Sequence, residues 1–97
     1  MKNILVAYAS KYGATAEIAE KIGEVLRSSG LNVSILPTHE VRNVNPYDAV
    51  VLGSGVYAGH WLKEAVAFLE SNEKTLATKP VWIFSSGPTG EGDPVEI

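Results

Sequence analysis

Cysteine is absent from all 97 residues, which removes disulfides, thiolate chemistry and cysteine-type zinc sites together. Charge of one sign is scarce: 8 Lys and Arg stand against 11 Asp and Glu, a net of −3. The basic residues are scattered and form no stripe, so nucleic acid is not an expected partner. No run approaches the ~18 consecutive apolar residues of a membrane-spanning helix. Met1-Lys2-Asn3 leads directly into an apolar stretch, and no signal peptide is expected ahead of it. The two histidines, His39 and His60, are too far apart to read as a local metal pair. No repeat or low-complexity tract interrupts the chain. These absences predict a cytoplasmic protein without a metal site.

What remains is 45% apolar, enough for the core of one small domain over residues 1–97. Four strands are predicted. Residues 4–8 (ILVAY) are continuously apolar, as in a parallel strand covered on both faces. Residues 31–35 (LNVSI) alternate, which suits an edge. Residues 49–52 (AVVL) are closed by Gly53-Ser54-Gly55, and residues 81–84 (VWIF) by Ser85-Ser86-Gly87-Pro88. Pro80 is tolerable beside the last of these because it precedes the strand.

Helical spacing fills the gaps. Over 14–29, Ile18, Ala19, Ile22, Val25 and Leu26 share one side, with Glu17, Glu20, Lys21, Glu24 and Arg27 around the other. Gly30 is placed to stop that helix. Over 61–72, Leu62, Ala65, Val66 and Leu69 form a stripe, with Trp61 and His60 at the helix start. Residues 38–44 are read as a short turn of helix capped by Thr38. The alternation predicts an α/β domain with an open parallel sheet in the order 2-1-3-4. The chain reverses direction between strands 1 and 3, opening a crevice at their carboxyl ends where ligands bind in such sheets.

The segment Ser10-Lys11-Tyr12-Gly13-Ala14-Thr15 runs from strand 1 into the first helix at that crevice. Free N–H groups and the dipole at a helix start favour an anion. Ser10 and Thr15 add hydroxyls, Gly13 allows close backbone approach, Lys11 adds charge, and no acid precedes Glu17. By composition this is a phosphate cradle; the bland reading is a helix cap at Thr15 and a simple turn at Gly13. Two further small-residue loops open at the same end: Ser54-Gly55-Val56-Tyr57-Ala58-Gly59, and Ser85-Ser86-Gly87-Pro88-Thr89-Gly90. Together they suit a flat ring with a phosphate tail, Tyr57 lying on the ring face. Trp61 is expected in the core between helix and sheet.

The stretches "YASKYGATAEIA", "YDAVVLGSGVYAGHWLKEAVAFL" and "PVWIFSSGP" resemble the flavodoxin-like family, in the branch related to menaquinone-dependent protoporphyrinogen oxidase. Flavodoxins usually read Thr/Ser-x-Thr-Gly-x-Thr at the phosphate loop; here Ser10, Gly13 and Thr15 match and Tyr12 replaces the middle threonine. The resemblance implies FMN, with 10–15 at its phosphate and 54–59 and 85–90 around its ring. It also implies electron transfer, with a redox protein or a quinone as partner. The acidic balance is expected to lower the flavin potential.

Family members continue with a fifth strand and last helices, which are missing from this chain. The tail 91–97 (EGDPVEI) is expected to be mobile, its acids solvated. Right-handed crossovers put the first helix alone on one face of the sheet, leaving strands 3 and 4 bare there. A homo-oligomer through that face or the strand-4 edge is therefore expected. Two other readings stand beside electron transfer. One is a non-catalytic interaction module or fragment without FMN; the other is a protoporphyrinogen oxidase-like enzyme, for which the chain lacks the late insert. "GSGVYA" from Gly53 fits a dinucleotide pattern but follows the third strand, with no acid at the end of the next. Gly-Lys-Ser/Thr and Gly-x-Ser-x-Gly are both absent.

Overall fold

A computed structural model describes residues 2–10, 13–57 and 59–86, with the backbone alone at Tyr57. Strand β1 spans Asn3–Ala9, helix α1 Ala14–Ser28, strand β2 Asn32–Pro37 and a 3-10 turn Thr38–Glu40. Strand β3 spans Ala49–Tyr57 and the two-residue strand β4 His60–Trp61. They are followed by α2 (Lys63–Ser71), α3 (Glu73–Leu76) and β5 (Val81–Ser86). The parallel strands lie in the order β2-β1-β3-β5, and β4 pairs antiparallel with the end of β3. This is the expected open α/β sheet, with β5 in the place of the fourth strand.

The sheet is buried on two faces by two separate clusters. On one, Leu5, Ala7, Val50 and Leu52 meet Phe68 of α2 and Leu76 of α3. On the other, Ile4, Val6, Val33 and Val51 meet Ala19 of α1. Successive residues of β1 thus feed opposite cores, which explains why its sequence shows no polar alternation. Gly23 lets α1 settle on β2; a methyl there would run into the Ile35 side chain, with Ile35 Cγ1 only 2.9 Å from it. The helix stops at Gly30 (φ 89°): the Leu31 N–H reaches the Leu26 carbonyl and the Gly30 N–H the Arg27 carbonyl, a Schellman closure.

Three local expectations differ from the observed elements. β3 does not close at Leu52 but runs on through Gly53-Ser54-Gly55 to Tyr57, and β5 includes Ser85 and Ser86. Trp61 and His60 belong to β4, so α2 starts only at Lys63. Thr38 opens the 3-10 turn rather than capping it, and its buried hydroxyl has no partner. Below the sheet, the Lys79 ammonium donates to the carbonyls of Tyr47 (2.6 Å) and Asn45 (3.4 Å), pinning the β2–β3 connection to the start of β5.

On the α1 side, cover runs out toward β5. Ala49 and Val51 of β3 are buried, but Trp82 of β5 is 59% exposed. A groove of about 480 Å³ lies there, walled by Ile22 and Leu26 of α1 and by Ile4, Val51, Trp82 and Phe84 of the sheet.

Candidate functional site at the carboxyl ends of the strands

Sheet register sets this site. Ala9, the last residue of β1, pairs with Ser54; Ser54 pairs with Ser85, and Gly55 with Ser86. The segments that follow β1, β3 and β5 therefore leave the sheet side by side at one rim. Of the predicted site residues, Ser10, Gly13, Ala14, Thr15, Ser54, Gly55, Val56, Gly59, Ser85, Ser86 and the Tyr57 backbone are described. Lys11, Tyr12, Ala58 and 87–90, like the tail 91–97, lie outside the described residues.

The start of α1 is the most informative part. Gly13 precedes the helix at φ 92°, a left-handed conformation that glycine adopts without steric cost. The Ser10 hydroxyl accepts the Gly13 N–H at 2.8 Å, curling the chain into the helix, and the Glu17 N–H closes the first turn on the Gly13 carbonyl at 3.1 Å. No described side chain caps α1. The N–H groups of Ala14, Thr15 and Ala16 have no carbonyl a turn earlier to bond, and they carry the positive end of a 15-residue helix. Thr15 is not the cap. It is buried within the first turn, and its Oγ1 would lie 3.3 Å from a methyl placed on Gly55. Gly55 thus brings the end of β3 against the start of α1.

Two predicted ligand hydroxyls are already engaged. Ser54 is fully buried; its Oγ accepts the Leu62 N–H (3.1 Å) at the start of α2 and donates to the Gly55 carbonyl (2.7 Å). Ser85 Oγ accepts the Trp61 indole N–H at 2.9 Å. These side chains lock β4 and α2 to β3 and β5, leaving only the backbone of 54 and 85 to face the rim. Trp61 also packs on the α2-side core, as its apolar body suggests. The expected free loop 54–59 is instead a strand end and a tight hairpin: Val56 pairs with Trp61, Tyr57 with His60, and Gly59 turns the chain at φ 81°. Exposed His60 stands on that hairpin.

Sequence reasoning missed a second recess beside Ser10. It measures about 300 Å³ and is lined by Tyr8, Pro37, Thr38, His39 and Glu64. Its one sequence signal was Thr38, read as a cap. His39 Nε2 lies 3.7 Å from Glu40 Oε2, both well exposed. Among the described residues, no three His, Asp or Glu gather as a metal site would need. Nor is any described helix long and apolar enough to cross a membrane.

The flavodoxin domain family matches residues 5–96, nearly the whole chain. This chain belongs to the flavodoxin domain family. Solved flavodoxins share the fold. A short-chain flavodoxin associated with a non-canonical PDU bacterial microcompartment superposes with a TM-score of 0.80 over 96% of this chain, at 22% identity. Flavodoxin 2 from Bacillus cereus, in its oxidised form, is 33% identical over 93% of the chain, with a TM-score of 0.74. The Fusobacterium nucleatum flavodoxin bound to flavin mononucleotide gives 0.74 at 20% identity over 90%. This flavodoxin domain spans only 66%, 64% and 53% of those three chains, and 23% of a rubredoxin oxygen:oxidoreductase from Desulfovibrio gigas.

Proposed function

We propose that this flavodoxin domain binds FMN at the rim where β1, β3 and β5 end, and serves as an electron carrier. The observation that carries the reading is the uncapped start of α1. Three N–H groups there lack helical partners, behind a left-handed Gly13 and a loop held by Ser10. A phosphate monoester matches that donor set in charge and geometry. The residues fit in a second respect: small Gly55 lies between the phosphate end and the hairpin, so backbone atoms approach what a side chain would block. In this reading 10–15 hold the phosphate through N–H groups and Lys11. Segments 54–59 and 85–90 line the ring, with Tyr57 on its face. FMN supplies the redox chemistry when bound; the chain binds it, orients it and sets the charge around it.

The finer kinship to the branch related to menaquinone-dependent protoporphyrinogen oxidase rests on the motif with Tyr12 in place of threonine. Oxidation of protoporphyrinogen itself is not part of this proposal. A redox protein or a quinone is the proposed partner, and the cytoplasm the proposed compartment. The test is Ser10→Asp. Aspartate still accepts the Gly13 N–H, so the loop keeps its shape. At about 5 Å from a phosphate, however, its charge costs on the order of 3 kcal/mol at an effective dielectric constant of about 20. Purified chain is expected to hold flavin and the variant to lose it while staying folded. Equal FMN binding by both would refute the cradle. A folded chain that ignores FMN would favour the other reading, an interaction module, for which the open β5 face is the supporting observation.

A further inference from the structure

The open half of the α1 face has a shape and a charge pattern that select what can cover it. Trp82 of β5 is 59% exposed on that face, in register with buried Val51. Two more exposed apolar residues, Ile18 (37%) and Val25 (66%), sit on α1. They lie four residues before and three after Ile22, which walls the groove, so helical spacing puts all three on the flank turned toward β5. Sheet face and helix flank form one continuous apolar corner. Folded monomers rarely leave such patches open beyond roughly a few hundred Å².

We propose that a second copy of this chain covers the corner, the β3–β5 face of one packing directly on the β3–β5 face of the other. The two copies are related by a two-fold axis parallel to the strands. Two sheets in direct contact lie about 10 Å apart, which leaves no room for a helix between them. Each α1 must then stand outside the partner's β5 edge, and that is the position in which Ile18 and Val25 meet the partner. The alternative, α1 of one copy inside the groove of the other, would bury Glu17, Glu20 and Glu24, all exposed on the outer arc of α1. The proposed arrangement keeps them in water. Among the described residues no strand pairs with β5 beyond β3, so nothing described blocks the approach from that edge.

Charge sets the register. Exposed Lys2 and Asp48 line the same end of the groove, at the amino ends of β1 and β3. A two-fold axis along the strands keeps that end with that end, so Lys2 of each copy faces the partner's Asp48. Such rim pairs add specificity more than affinity. The patch is smaller than the roughly 800 Å² per partner of a standard interface, so the dimer is a weak one, in the micromolar range.

This inference does not rest on FMN, and its test runs with and without the flavin. Sedimentation of the chain from about 1 µM to about 1 mM is expected to show mass rising from one chain to two and stopping there. Val25→Glu changes an exposed helix residue and leaves the monomer folded by circular dichroism; it is expected to weaken dimerisation at least tenfold. Lys2→Asp and Asp48→Lys are each expected to weaken it too, and an equimolar mixture of the two variants to recover dimers. One-chain mass at every concentration would overturn the proposal and leave the groove to a helix from another polypeptide. Mass growing past two chains, or insensitive to Val25→Glu, would overturn it in favour of non-specific association. Failure of the charge-reversed pair to recover dimers would overturn the two-fold register.

Discussion

Gly53 interrupts the apolar run of β3, yet it belongs there because of a ring on the next strand. It pairs with Phe84 across the β3–β5 ladder, and the Phe84 ring lies flat over it. A methyl built on Gly53 would fall well inside the ring's van der Waals envelope, while the backbone, not being left-handed, accepts alanine. In Gly53→Ala the ring must therefore swing off the sheet into the groove. Losing part of the burial of a half-buried phenylalanine, with the strain of overpacking, costs about 1–3 kcal/mol. Reduced freedom of the unfolded chain returns about 0.4–1 kcal/mol. The expected net loss is about 1–2 kcal/mol, or roughly 4–15 °C in Tm for a chain of this length. Phe84→Ala removes the ring, and in that background Gly53→Ala should be neutral or stabilising by up to about 1 kcal/mol. Urea unfolding of all four proteins, followed by circular dichroism, reads the cycle. A coupling energy of about 1.5–3 kcal/mol is expected; additivity within about 0.5 kcal/mol would refute the account of Gly53.

Ser54→Ala is expected to destabilise by about 1–3 kcal/mol, because it strands the buried Leu62 N–H at the start of α2; urea titration checks it, and a neutral result would mean that the hydroxyl is dispensable. Thr38→Val removes a buried hydroxyl that has no partner and should stabilise by about 1 kcal/mol; a loss of stability would reveal a partner for it. The midpoint potential of bound FMN, measured by spectroelectrochemistry, is expected below that of free FMN, since the net charge of −3 disfavours adding electrons; a higher value would contradict this.

The strand order and the position of the first helix were legible because they are written locally. Unbroken apolar residues 4–8 and 49–52 predict central strands, and the 3.6-residue period ending at Gly30 predicts α1. What was not legible depends on contacts between distant residues. Gly53, Ser54 and Gly55 look like a loop in any short window. They are strand because Phe84, 31 positions after Gly53, covers one glycine and Thr15 abuts the other. Ser54 and Ser85 carry the hydroxyls expected at a ligand mouth, yet they bond the Leu62 N–H and the Trp61 indole. The phosphate loop was read better. Its argument rests on helix geometry and a glycine, and the left-handed Gly13 with an uncapped α1 lies among the residues described. The exposed α1-side face of β5 followed from the handedness of crossovers, a rule that needs only the order of elements.

The most direct test of the central claim, that the strand ends form an FMN site, is a calorimetric titration of FMN into the flavin-free chain. The account predicts one FMN per chain with sub-micromolar affinity, better than about −8 kcal/mol, and release of the flavin in Ser10→Asp. A folded chain that takes up no FMN, or takes it up equally well with aspartate at position 10, would contradict it.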